Sequence, residues 1–234
     1  MISPRLADAR SGQARAVLWD LDGTLVDSSD HHWRAWQETM RAEGIELSYQ
    51  QFLDSFGLRN DRILSHWLGA DAATDVIQRI GDAKEAMYRE LARREGLVPL
   101  PGAQSWVTKL RRRGWSQAIA SSAPRANVEV MLAAVGIAGS IDAIVSAEDV
   151  LRGKPDPDVF LAAAGRLGVF PARCVVVEDA AAGVEAARRG GMRSIGVNAT
   201  VALVADVYVR SLEDLDDDAF DRLITSDAGG RSSS

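Results

Sequence analysis

The chain has 234 residues, 47% of them hydrophobic and 26% charged, which excludes disordered, fibrous and collagenous classes. Its net charge of −6 argues against a nucleic-acid partner, because nucleic acids bind basic surfaces. No apolar run approaches the roughly 20 residues of a membrane-spanning helix, and residues 1–15 lack the apolar stretch of a signal peptide. The single cysteine, Cys174, fits a reducing compartment. We therefore expect a cytoplasmic monomer without a membrane partner.

Short apolar runs predict strands that are buried on both faces. The first run covers 16–19 and ends at Asp20, and the later runs cover 117–120, 143–145, 174–177 and 194–197. Helical periodicities lie between the runs and end at glycines that suit a left-handed C-cap, namely Gly114, Gly136 and Gly168. This alternation predicts an α/β fold, a Rossmann-like doubly wound parallel sheet.

Residues 28–99 interrupt the alternation with about four amphipathic helical stripes. One of these helices starts at a capping box formed by Ser48 and Gln51. We therefore expect an inserted α-helical bundle, a cap domain at 28–99, within a discontinuous core domain made of 1–27 and 100–234. The polar ends, 1–13 and 229–234, are expected to be frayed.

Two carboxylates, Asp20 and Asp22, follow the first predicted strand, and Gly23 allows a sharp turn after them. In an open parallel sheet, ligands bind beyond the carboxyl ends of the strands. Such a pair can bind a hard cation, attack phosphorus or exchange protons. The alternative is a plain acidic turn, since Asp-Gly is a common turn dipeptide.

Four segments, in order, resemble the motifs of the haloacid dehalogenase (HAD) superfamily of phosphotransferases. They are DLDGTLVDS at 20–28, the hydroxyls Ser121 and Ser122 after a strand, GKPDP at 153–157 and VVVED at 175–179. The resemblance covers about residues 15–200 and implies a phosphoric monoester hydrolase.

The resemblance implies a catalytic role for four residues. Asp20 attacks phosphorus to form an aspartyl phosphate, and a carboxylate that is ionised at neutral pH needs no base for this. Asp22 carries the proton of the leaving oxygen, and we expect a raised pKa for it beside a phosphate and a second acid. Ser121 and Lys154 orient the phosphoryl oxygens and neutralise their charge. Helix capping by Ser121 and a solvated surface lysine at 154 are the alternatives.

The resemblance also implies a Mg²⁺ site, because a cation must offset the repulsion between an anionic phosphate and a carboxylate. Its ligands would be the Asp20 carboxylate, the Asp22 main-chain carbonyl and the Asp179 carboxylate. Glu178 would bind directly or through water.

The cap resembles that of a subgroup containing sugar phosphatases, phosphoglycolate phosphatase and β-phosphoglucomutase. Beside the catalytic residues, the expected substrate-binding residues are Gly23, Thr24, Ser122, His32, Arg59 and Lys84. An exposed helical histidine is the alternative for His32, and Trp36 is expected in the core rather than in contact with substrate.

A mutase holds a second phosphate with an arginine in the 56–61 region and a lysine just after the second motif. The best-aligned positions in this sequence are Asn60 and Pro124, although Arg59, Arg62 or Arg125 could compensate. We therefore favour transfer to water from a small phosphorylated sugar, polyol or phosphoglycolate-like metabolite. A β-phosphoglucomutase is the alternative enzyme, and a non-catalytic metabolite-binding or regulatory module is the alternative of another class.

Overall fold

Six parallel strands form the central sheet of the computed structural model, which describes residues 14–225 of the chain. Two further short strands, at 26–27 and 98–99, lie outside this sheet. In chain order the eight strands of the described residues are β1 (Ala16–Trp19), β2 (Val26–Asp27), β3 (Val98–Pro99), β4 (Ser116–Ala120), β5 (Ala143–Val145), β6 (Cys174–Glu178), β7 (Arg193–Val197) and β8 (Val207–Val209). The sheet has the order β5-β4-β1-β6-β7-β8, so β1 lies between β4 and β6. The expected α/β fold with a doubly wound parallel sheet is confirmed.

Nine α-helices accompany the strands in the described part of the chain. They are α1 (Ser29–Ala42), α2 (Tyr49–Ser55), α3 (Asn60–Leu68), α4 (Thr74–Glu95), α5 (Ala103–Arg112), α6 (Arg125–Val135), α7 (Asp158–Leu167), α8 (Ala181–Arg189) and α9 (Ala219–Thr225). The last five helices cover the two faces of the sheet, as the alternating pattern of the sequence predicts.

The two sides of β1 enter different apolar clusters, because successive side chains of a strand point to opposite faces. Val17 and Trp19 pack with residues of α5, α6 and α9, whereas Ala16 and Leu18 pack with residues of α7 and α8. Trp19 is fully buried, and its Nε1 donates a 2.9 Å hydrogen bond to Oε1 of Gln117. The central strand is therefore held on both faces, and this fixes the residues that follow it.

The four helices between Ser29 and Glu95 have an apolar cluster of their own. Its buried members are Trp36, Met40, Leu47, Phe52, Ile63, Leu64 and Ile80. Helix α2 starts at the expected capping box, in which Ser48 and Gln51 satisfy each other's backbone N–H groups. The division of the chain into a cap at 28–99 and a discontinuous core remains a prediction.

The chain passes between the sheet and the four helices through a short antiparallel ribbon. Strands β2 and β3 form it, with Val26 opposite Pro99 and Asp27 opposite Val98. The chain therefore leaves and re-enters the core through two strands that pair with each other.

The strand β8 was absent from the sequence-based prediction. Val207, Tyr208 and Val209 form an edge strand beside β7, and no helix lies between the two strands to continue the predicted alternation. The fraying expected for 1–13 and 229–234 lies outside the described residues. None of the helices described is both long and apolar enough to cross a membrane.

Candidate active site

The carboxyl ends of three neighbouring strands bring the motif residues together. Asp20 follows β1, Ser121 follows β4, and Glu178 and Asp179 lie at the end of β6. Because β4, β1 and β6 are adjacent and parallel, these residues meet at one edge of the sheet.

Lys154 lies at the centre of this edge and is 4% exposed. Its Nζ is 2.5 Å from Oδ1 of Asp20 and 2.6 Å from Oε1 of Glu178. Burial alone would lower the pKa of Lys154, but the two carboxylates outweigh burial and raise it. The lysine is therefore a buried ammonium rather than a solvated surface group.

Three carboxyl groups lie close enough to share one cation. Asp20, Glu178 and Asp179 each offer an oxygen, and these oxygens all lie within 4.8 Å of one another. One lysine does not balance three carboxylates, and hard oxygen donors of this kind suit Mg²⁺. Lys154 and the main-chain N–H of Ala180 already contact the two oxygens of Glu178.

Burial and crowding raise the pKa values of two of these carboxyl groups. Burial raises the pKa of Asp20 to about 7, although Lys154 opposes the shift. Burial together with the nearby carboxylates of Glu178 and Asp20 raises the pKa of Asp179 well above its usual range. Without a bound cation the pKa of Asp20 is therefore higher than that of an ordinary carboxyl group, a shift that the sequence does not reveal because it does not show the depth of burial.

Two glycines make room for the acidic cluster. Gly23 has a φ of +77°, and a Cβ placed on it would lie 2.2 Å from Oδ2 of Asp179. A Cβ on Gly183 would lie 1.8 Å from Oε1 of Glu178. Any larger side chain at either position would displace a carboxylate, so both positions require glycine. The sequence reasoning gave Gly183 no such role.

Asp22 lies on the cap side of the cleft and is half-buried. Its Oδ1 accepts a 2.6 Å hydrogen bond from Oγ of Ser28 and lies 2.8 Å from Nε2 of His32. Burial would raise the pKa of Asp22, but His32 and Ser28 outweigh burial and lower it. In the chain alone the pKa of Asp22 is therefore lowered, and the raised pKa expected beside a phosphate stays a prediction. The contact of His32 with this carboxyl group was not predicted from the sequence.

His32 is 7% exposed, so it is not a surface histidine. Its ring stacks on Tyr88 at 4.0 Å, and its Nδ1 lies 2.8 Å from Nζ of Lys84. Since the Lys84 ammonium is a donor only, Nδ1 is the acceptor and Nε2 carries the hydrogen donated to Asp22.

Lys84 joins His32 to a buried polar network that was not predicted from the sequence. Its Nζ donates to Oε1 of Glu85 at 2.8 Å, and Asn60 donates to the same oxygen at 2.7 Å. The other Glu85 oxygen accepts from Nδ2 of Asn127, on α6 of the core. The available signal was a charged pair on the buried stripe between Ile80 and Tyr88.

Of the remaining predicted site residues, Ser121, Ser122 and Thr24 lie at or behind the cleft, whereas Arg59 lies outside it. Ser121 is buried, and its Oγ accepts a 3.0 Å hydrogen bond from the main-chain N–H of Ala123. Thr24 is buried behind Asp179, with its Oγ1 3.4 Å from Oδ1 of that residue. Ser122 lines the cleft beside Ser121.

Arg59 lies outside the cleft that contains Asp20 and Asp22. Its guanidinium donates to the main-chain oxygens of Ala147 and Val150 at 3.3 and 3.0 Å. It therefore joins the cap to a core loop instead of facing the acidic cluster.

The cleft between the sheet edge and the cap is enclosed by apolar and polar walls. The apolar wall comes from Trp36, Phe52, Phe56, Leu58 and Ile63 of the cap. The polar wall comes from Asp20, Asp22, His32, Ser55, Asn60, Lys84, Glu85, Ser121 and Ser122. Trp36 is 2% exposed and belongs to the cap cluster, yet it also borders this cleft.

The sequence profile of the haloacid dehalogenase-like hydrolases matches residues 17–197, and the chain belongs to this family. Hexitol phosphatase B of Escherichia coli is 33% identical over 215 residues, which are 87% of this chain and 95% of that protein. The chloroplastic protein SUPPRESSOR OF QUENCHING 1 of Arabidopsis thaliana is 38% identical over 197 residues. That match covers 82% of this chain but only 18% of the plant protein.

Solved structures show the same architecture. The crystal structure of a β-phosphoglucomutase from Clostridium difficile superposes with a TM-score of 0.81 at 26% sequence identity. The match covers 92% of this chain and 99% of the other. The resemblance inferred from the four motifs is confirmed.

The raised pKa of Asp20 makes stability depend on pH. Between about pH 4 and pH 7 the folded chain keeps a proton that the unfolded chain has released, so the free energy of unfolding falls as pH rises through this window. We expect this fall in urea denaturation with a chelator present, and Asp20→Asn should reduce it. Asp54→Asn, at an exposed position of the cap, is the matched control. An identical pH dependence in wild type and Asp20→Asn would contradict the assignment.

Proposed function

We propose that this protein is a Mg²⁺-dependent phosphohydrolase that acts on a small phosphorylated sugar, polyol or phosphoglycolate-like metabolite through an aspartyl phosphate. The observation that carries the proposal is the contact of Lys154 with both Asp20 and Glu178 at the carboxyl ends of β1 and β6. This contact supports a nucleophile, a positive charge and an acidic cluster that act together at one edge of the sheet. The similarity to hexitol phosphatase B supports the same chemistry.

In this proposal Asp20 attacks the phosphorus of the bound monoester. An oxygen of its carboxylate forms the new P–O bond as the bond to the leaving oxygen breaks. Lys154 and Ser121 hold the phosphoryl oxygens, whose charge spreads during the transfer. Water then attacks the phosphorus of the acyl phosphate, which releases inorganic phosphate and restores Asp20.

Asp22 carries the proton in both halves of the reaction. It gives a proton to the leaving oxygen and then takes one from the attacking water, which returns it to its starting state. The hydrogen bonds from His32 and Ser28 orient its carboxyl group and favour its ionised form. A bound phosphate dianion has the opposite effect, because it favours the protonated acid that the first half requires.

The residues present fit a magnesium ion. Asp20 and Asp179 would hold it with the main-chain carbonyl of Asp22, and Glu178 would contribute directly or through water. When bound, Mg²⁺ supplies positive charge that offsets the repulsion between phosphate and carboxylate and favours the ionised form of Asp20.

The positions of the arginines favour hydrolysis over a mutase reaction. A mutase requires a cation for the second phosphate, and the candidates in the sequence were Arg59, Arg62 and Arg125. Arg59 and Arg125 donate to main-chain oxygens of the core, and Arg125 also pairs with Asp149. Arg62 is exposed and does not line the cleft.

The retention of every catalytic group argues against a non-catalytic binding module. Such a module would not need Asp20, Glu178 and Asp179 in mutual reach, nor a Gly23 that makes room for Asp179.

Removal of the nucleophile tests the covalent mechanism. We expect Asp20→Asn to lower kcat for p-nitrophenyl phosphate at least about 10³-fold, since an amide oxygen is a poor nucleophile. Asp54→Asn, an exposed carboxyl group of the cap, should keep the wild-type rate. Circular dichroism establishes that both variants fold, and near-normal turnover by Asp20→Asn would refute the assignment.

Chelation tests the metal. EDTA should abolish the release of phosphate and added Mg²⁺ should restore it, because the acidic cluster repels an anionic ester. In calorimetry, Asp179→Asn should bind Mg²⁺ at least about tenfold more weakly than wild type, with Asp54→Asn again as control. Full activity after exhaustive chelation would exclude the metal role.

The products formed from β-glucose 1-phosphate separate hydrolase from mutase. Phosphorus NMR should show inorganic phosphate accumulating, because water is the proposed acceptor. Accumulation of glucose 6-phosphate without free phosphate would establish the mutase instead.

A further inference from the structure

Glu85 is a buried anion on the wall of the cleft and has no role in the proposed transfer of phosphate. It lies on α4 and is 5% exposed. It borders both the inner cleft, with Asp20 and Asp22, and an outer cleft between cap and core. Glu85, Asn60 and Ser122 are shared by the two clefts, so they lie where the part of a substrate remote from its reacting phosphate would pass.

The hydrogen bonds of Glu85 leave room for one more donor. Its Oε1 accepts from Lys84 and Asn60, and its Oε2 accepts from Asn127. A carboxylate accepts about four hydrogen bonds, so one site on Oε2 remains. A hydroxyl group can fill that site, whereas a phosphate or carboxylate oxygen would face it with like charge.

Within residues 14–225, no basic side chain that lines the outer cleft is free to bind an anion beside Glu85. Lys84 directs its Nζ at Glu85 and His32. Among the described residues that line the outer cleft, Arg59 is the one basic side chain, and it donates to main-chain oxygens at 147 and 150. The other charged groups of the outer cleft are the carboxylates of Asp61, Asp82 and Glu148.

We propose that Glu85 is a specificity residue that selects monophosphates with an uncharged, hydroxylated remote end and disfavours a second phosphate or a carboxylate there. This inference rests on the proposed phosphatase function and narrows its substrate class. Polyol and sugar monophosphates satisfy it, whereas bisphosphates and sugar-acid phosphates do not.

Three substrates that share one carbon chain test the inference on the wild-type holoenzyme. Sorbitol 6-phosphate ends in a hydroxyl group, 6-phosphogluconate ends in a carboxylate, and sorbitol 1,6-bisphosphate ends in a second phosphate. We expect kcat/KM for sorbitol 6-phosphate to exceed both others at least about tenfold, mainly through KM. Equal values for the three substrates would overturn the inference.

Glu85→Gln tests the residue itself, because it removes the charge and keeps the shape. It should reduce the preference for sorbitol 6-phosphate over the two anionic substrates about tenfold. Glu90→Gln, an exposed position on the same helix, is the matched control and should keep the wild-type preference. An unchanged preference in a folded Glu85→Gln would overturn the assignment. If this variant fails to fold, equal kcat/KM values of wild type for the three substrates would still overturn the inference.

Hydrolysis of p-nitrophenyl phosphate separates this inference from the proposed function. This substrate has no remote hydroxyl group, so wild type should cleave it whether or not Glu85 selects. If wild type releases no phosphate from any of the four esters, the proposed function fails. If it cleaves them all and does not discriminate, only the role of Glu85 fails.

Discussion

The ammonium group of Lys154 sits between carboxylates that would otherwise repel one another. Its contacts with Asp20 and Glu178 join the ends of β1 and β6 at a point buried from water. A buried charge of this kind is tolerated only when its partners are close and well oriented. The buried strands β1 and β6 hold these carboxylates in position, and Gly23 and Gly183 leave space for the side chains of Asp179 and Glu178.

Five of the six strands of the sheet, and the residues at its edge, were predictable from the sequence. Apolar runs such as 174–177 indicate strands, because a strand buried on both faces is continuously hydrophobic and does not alternate apolar with polar residues. Asp20 and Asp179 follow two of those runs, so their convergence was foreseeable from parallel topology. The edge strand β8 was not predicted, because no helix separates it from β7 and the alternation of strand and helix ends there.

Contacts across the cap were not predictable in the same way. Periodicity places Lys84 and Glu85 on a helix, but only the packing of α4 against α1 and α6 sets Lys84 beside His32 and Glu85 beside Asn127. The direction of the pKa shift of Asp22 depends on the same packing. Arg59 was expected from the sequence to bind substrate, but it donates hydrogen bonds from the cap to main-chain oxygens of the core.

The ribbon of β2 and β3 has a consequence for the evolution of such proteins. The outgoing and returning strands lie side by side, with Asp27 opposite Val98, so the two junctions of the intervening segment are neighbours in space. A segment whose ends adjoin can be exchanged or resized without moving the parts of the core that carry Asp20, Lys154 and Asp179. Only Asp22 among the proposed catalytic carboxylates depends on the segment, because Ser28 and His32 hold it.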